Sequence, residues 1–176
     1  MDYFWIKEDK TYMHTPVITN LNDIVNRRAA MSLENAINIP DINVGFARSE
    51  RPLDYIDVLD GQLFLVNDGV KKVFSVYERS LQFKTVCILN NLDGSSCNYY
   101  APLFVNVDCL PDEYKAVRNR NKLEKLIIKA SSVEDYSVFK IAGIDTDIVI
   151  IRLDVAESLL RRDIRKLTLE RVQLVY

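Results

Sequence analysis

Apolar and polar residues repeat along this chain with a period of two over most of its length and with a period near 3.6 over a few stretches. The order is clearest in the last quarter, Ser137–Tyr176. Val138–Ile141 and Ile148–Leu153 are apolar and β-branched, and Gly143, Asp145, Thr146 and Asp147 lie between them, which predicts a β-hairpin. A helix is expected directly after it. Asp154 suits an N-cap, Glu157 follows three residues on as in a capping box, and Val155, Leu159 and Leu160 share a face. Arg161, Arg162, Arg165 and Lys166 gather at its C-terminal end, where cations meet the negative pole of the helix dipole; that complementarity explains them without a ligand, although they also form a surface that can bind. Leu167, Leu169, Val172, Leu174 and Tyr176 then mark the buried side of a last strand, with an offset near Arg171 that suits a bulge. The unit reads strand, strand, helix, strand.

Upstream, Tyr3–Lys7 opens with three aromatics and predicts a first strand anchored by Trp5. Thr15–Asn20 reads as a short extended piece. Asn22–Ala36 reads as a helix capped by Asn22, with Ile24, Val25, Ala29 and Leu33 at helical spacing. Pro40, Gly45 and Pro52 mark an irregular connection holding an edge strand around Val44 and Phe46. In LFLVNDGVKKVFSVYERS, Asn67 or Asp68 caps a helix of about ten residues, because Val70, Val73, Phe74 and Tyr77 fall at i, i+3, i+4 and i+7, with Lys71, Lys72 and Glu78 outside. Leu81–Leu89 and Tyr99–Val107 are strand-like and joined through Asp93–Gly94, a strong hairpin signal. Around Pro111 the chain turns polar, with Arg118, Arg120, Lys122 and Lys125 among asparagines, as in an exposed loop or short helix. Leu126–Lys129 predicts a short strand and Ser131–Tyr136 a turn. The expectation is one α+β domain over residues 1–176, a mainly antiparallel sheet with two or three amphipathic helices packed on it and a C-terminal β-β-α-β unit.

Composition sharpens this picture mainly by exclusion. With 48% apolar and 27% charged residues, the chain has the balance of a folded soluble protein. A formal charge of −2 offers no general attraction to phosphate backbones, so nucleic acid is not expected as a partner. No apolar run nears the roughly twenty residues of a membrane span, and acidic Asp2 stands where a secretion signal is positive, so no membrane association and a cytoplasmic location are expected. Cys87, Cys97 and Cys109 are odd in number and lack a C-x-x-C pair, which fits free thiols.

Candidate chemistry is sparse. His14 is the sole histidine and has no ligand-type or triad-type neighbour in sequence, so no metal site is expected; phosphate-binding glycine loops are lacking as well, and no cofactor is expected. Asp54, Asp57 and Asp60 repeat every third residue, a spacing looser than metal sites use and closer to a solvated acidic edge. Asp145 and Asp147 suit the hairpin tip as turn formers. A site built from carboxylates alone stays open, since 25 acidic residues cannot be sorted by sequence.

Three segments, LFLVNDGVKKVFSVYE, VFKIAGI and IVIIRLDVAESLLRRDIRKLTLERVQLV, resemble the bacterial immunity proteins of polymorphic toxin systems, specifically the eleventh immunity family. The likeness runs from Leu63 onward and rests on the helix at Asp68–Tyr77, the strand and turn at Phe139–Gly143, and Arg152–Asp154 leading into ESLLRR; residues 1–60 share only the general layout. The resemblance implies a non-enzymatic cytoplasmic protein that binds a cognate protein toxin and blocks its active site. It supplies no binding residues. Because inhibitors of nuclease-like toxins commonly set carboxylates against a basic site, Asp54, Asp57 and Asp60, or Asp145 and Asp147, are the expected contacts. Two other classes stay open: a structural or assembly protein of a mobile element, which a flat apolar surface and a homo-oligomer would favour, and a small-molecule enzyme with a carboxylate-only site.

Overall fold

A computed structural model of the protein describes residues 1–24, 31–114 and 125–176. The chain starts with strand β1 (Tyr3–Lys7), which buries Tyr3 and Trp5 on one face and Ile6 on the other. Residues 15–20 form no strand; they run beside strand β2 (Ile42–Ala47), where Thr19 N–H donates to Phe46 O at 2.7 Å. The predicted helix 22–36 is present only as the helical turn α1 (Leu21–Ile24) and a 3-10 helix at Leu33–Asn38, with Val25 and Ala29 outside the described residues. Because α1 begins at Leu21, Asn22 lies inside its first turn and does not cap it.

Short strands β3 (Val58–Leu59) and β4 (Leu65–Val66) lead into helix α2 (Asp68–Tyr77). The expected cap is formed: Asn67 Oδ1 accepts from Val70 N at 2.9 Å, leaving Val70, Val73 and Phe74 to be buried. Each of those side chains contributes roughly 1.5–3 kcal/mol by leaving water. Strands β5 (Gln82–Asn90) and β6 (Ser96–Leu103) form the predicted hairpin, with Gly94 at φ +74° in the turn, a backbone conformation glycine adopts without cost. The sequence run Tyr99–Val107, however, is divided: after Leu103 the chain leaves this sheet, and strand β7 (Asn106–Val107) belongs to another.

Strand β8 (Ile127–Lys129) stands where expected, and strands β9 (Val138–Ile141) and β10 (Val149–Arg152) pair antiparallel as predicted. Helix α3 (Leu153–Arg161) follows with Arg152, not Asp154, at its N-cap. Asp154 sits in the first turn and grips the Arg152 guanidinium at 2.7 and 2.9 Å, while Glu157 pairs with Arg161, so no capping box forms. Val155 and Leu159 are buried as foreseen, but Leu160 faces solvent and Ala156 takes its place inward. The last strand is two: β11 (Thr168–Arg171) in one sheet and β12 (Gln173–Val175) in another, with buried Val172 as the crossover where a bulge was expected. Tyr176, assigned to the buried face, is exposed.

The strands assemble, in place of one sheet, into two five-stranded sheets, β11-β1-β10-β9-β7 and β2-β5-β6-β4-β3, plus the pair β12-β8. Antiparallel pairing dominates, with parallel pairs at β2·β5, β7·β9 and β12·β8. One core joins the two large sheets through α2 and α3: Ile6, Val149 and Ile151 from the first meet Val58 and Val66 from the second around Phe74 and Leu159. A second core lies under the N-terminal segment, where Ile18, Ile39 and Ile56 cover Val86, Ile88 and Tyr99. The third covers the far face of the first sheet, where Cys109, Leu126 and Ile128 pack on Trp5, Phe139 and Ile150. The result is an α+β fold with its apolar faces buried in three layers of contact.

Candidate binding surface

The five carboxylates expected at a partner surface are mostly drawn into the scaffold. Asp54 is half-buried and closes a loop with His14, its N–H donating to His14 O at 2.9 Å and its Oδ2 accepting from His14 N at 3.3 Å. Asp57 accepts from Asn67 Nδ2 at 2.6 Å and from Lys166 N at 2.7 Å. Asp60 is buried and lies 3.4 Å from Lys10 Nζ. Asp147 forms a 2.6 Å ion pair with Lys140 in which both side chains are only 12% exposed. Asp145 alone of the five projects into solvent. A three-residue repeat lines up on a helix, but residues 53–57 have no regular structure and the chain enters β3 at Val58, so the three aspartates diverge.

A feature that sequence reading missed is the partner of Asp60. Glu8 is also buried; its Oε2 accepts from Asp60 N at 3.2 Å and lies 3.4 Å from Lys10 Nζ, and its Oε1 accepts from Thr15 Oγ1 at 3.0 Å. Both carboxylates thus share one largely exposed ammonium. They line a cleft of about 540 Å³ with Trp5, Lys7, Thr11 and Thr168. The Lys7 ammonium sits 4.4 Å from the Trp5 ring centroid, a cation–π contact over a buried indole. Nothing local in the sequence marks Glu8, which simply follows the first strand.

The densest run of cations among the described residues is the turn that ends α3. Arg161 is the last helical residue, Arg162 is the C-cap, and Asp163 follows at φ +60°, the left-handed conformation that closes a Schellman motif. Asp163 N–H reaches Leu160 O at 3.1 Å and Ile164 N–H reaches Leu159 O at 3.2 Å. Ile164 and Leu167 insert into the core shared by the sheets, and Asp57 grips the Lys166 backbone between them. Arg161, Arg162, Arg165 and Lys166 consequently all point outward. Their neutralisation is slight: Arg161 pairs with Glu157 at 3.0 Å and Arg165 with Asp163 at 2.8 Å, all exposed groups, while Arg162 bonds Ser158 O at 3.1 Å and Lys166 lies 5.8 Å from the Tyr12 ring.

The remaining candidates hold little chemistry. The exposed His14 ring lies 3.4 Å from Arg51 Nη1. Cys87 and Cys97 sit on neighbouring strands but one register step apart, Cys87 opposite Asn98 and Cys97 opposite Ile88, so their thiols point to opposite faces of the sheet. Cys109 is fully buried, and desolvation pushes its thiol up to about 12. Among the described residues no helix is long and apolar enough to cross a membrane. The fold and its surfaces define an α+β protein with an acid-lined cleft and a rigid basic turn. No protein-family model matches the chain, and no curated protein matches it either.

Proposed function

We propose that this chain is a non-enzymatic binding protein of the immunity class, which neutralises a cognate protein toxin in the cytoplasm of the cell that makes both. The toxin part rests on the sequence likeness from Leu63 onward. The observation that carries the binding-scaffold part is the use made of the carboxylates: Asp57 ties the cap of α2 to the backbone after α3, and Asp147 pairs with Lys140 of the adjoining strand, which stiffens the body that displays the surface. The decisive experiment is co-expression of the chain with the protein encoded beside its gene. Restored growth together with co-purification of the two supports the reading; growth arrest that the chain does not relieve sinks it.

A second reading has one observation of its own. Glu8 and Asp60 beside the 540 Å³ cleft are the pair a carboxylate-based enzyme would use. Turnover of a small substrate by the purified protein, abolished in Glu8→Gln, would move the conclusion to that class.

A further inference from the structure

We infer that the basic turn at the end of α3 is the docking surface for the protein partner, and that it is recognised by a carboxylate-rich face of that partner. The inference rests on the proposed binding role and reverses the charge expected at the contact, from acidic to basic.

Three observations carry it. The first is charge. Residues 157–166 hold four cations and two acids, a formal +2 on a chain whose total is −2, so the turn carries a charge opposite to that of the chain as a whole. The second is rigidity. Ile164 and Leu167, each 8% exposed, are anchored in the core, and Asp57 fixes the backbone at Lys166 with contacts of 2.7 and 3.2 Å. The backbone that carries these arginines need not reorder on binding, and their planar forks donate to carboxylates in a bidentate fashion. The third is availability. Arg161 and Arg165 are 77% and 71% exposed, and their ion pairs with Glu157 and Asp163 are open to water and exchangeable at small cost. Solvent-facing Leu160 lies in the same helical turn and supplies an apolar contact next to the arginines, a combination common at the energetic centre of interfaces. The net charge of −2 gives no general attraction to an extended phosphate backbone, so a compact acidic protein face is the favoured ligand.

The test compares wild type, Arg161→Glu with Arg165→Glu, and Arg161→Gln with Arg165→Gln, titrated against the protein encoded by the adjacent gene. Unchanged melting curves confirm that the variants fold, as expected for side chains on the surface. The reversed variant should bind about thirtyfold or more weakly and the neutral variant about tenfold, and wild-type binding should weaken from 50 to 300 mM salt more than that of the neutral variant. Wild type that binds while the reversed variant binds equally well overturns this inference and leaves the proposed function standing. Wild type that does not bind at all removes both. A short duplex DNA titrated in parallel that binds wild type and not the reversed variant would reassign the turn to phosphate, and the inference would be wrong.

Discussion

Asp57 and Lys166 are bonded twice although 109 residues separate them: Asp57 Oδ2 accepts from Lys166 N at 2.7 Å, and Asp57 N–H donates to Lys166 O at 3.2 Å. The other carboxylate oxygen takes Asn67 Nδ2 at 2.6 Å, so one side chain ties the approach to β3, the cap of α2 and the exit of α3. Hydrogen bonds to a charged acceptor each contribute more than neutral ones, and truncation strands two donors. Asp57→Ala should therefore cost about 2 kcal/mol in urea denaturation, reduced from a larger figure because the group is half-exposed. Asp57→Asn should recover only part, since an amide offers an oxygen to one donor and a clashing NH2 to the other. A loss below about 0.5 kcal/mol for Asp57→Ala would show that the clasp is ornamental.

Asp163 occupies a left-handed position that glycine fills more cheaply. Its ion pair with Arg165 joins two exposed side chains and contributes little. Asp163→Gly is expected to stabilise the protein by about 0.5–1 kcal/mol, raising Tm by roughly 2–3 °C for a chain of this size. Asp163→Val should lower stability by about 1–2 kcal/mol, because a β-branched side chain fits that region poorly. Calorimetry decides the matter, and the idea fails if the two variants melt in the opposite order.

Cys109 sets an alkaline limit on stability. Its thiol is raised to about 12 by burial, whereas in the unfolded chain it ionises near its ordinary value of 9. Between those values the folded state keeps a proton that the unfolded state has released. Stability therefore falls as pH rises through this window, by up to about 1.4 kcal/mol per pH unit from this group. Buried Tyr99, whose hydroxyl is also raised by desolvation, acts in the same direction above pH 10. Denaturation at pH 8 and pH 10 should show a smaller loss in Cys109→Ala than in wild type; equal losses would contradict the assignment.

What the sequence revealed was local. Asn67 and the Val70–Val73–Phe74 spacing specified α2, and Asp93–Gly94 with the alternation on either side specified the β5–β6 hairpin. Both signals sit within a dozen residues. The places where the chain changes sheet, between Leu103 and Asn106 and at Val172, were hidden because a period of two is the same whichever sheet a strand joins. The surroundings of the aspartates were hidden for a related reason. Asp57 looks like a solvated carboxylate beside its neighbours in sequence, and only the arrival of Lys166 from 109 residues away shows where one of its oxygens is spent; Asp147 meets Lys140 within its own hairpin, once the register of β9 and β10 is known. The basic turn was visible as composition, but its rigidity depends on Asp163 entering the left-handed region and on Ile164 reaching the core, which no local pattern announces.

The position of β1 between β10 and β11 has a consequence for how the molecule comes into being. Both neighbours of β1 lie far downstream, so it leaves the ribosome and waits while about 140 further residues are added, roughly 7–30 s at ordinary synthesis rates. During that wait Tyr3, Phe4, Trp5 and Ile6 have no sheet to join. A chain ended before Thr168 would leave β1 without its β11 neighbour and keep that edge of the sheet open.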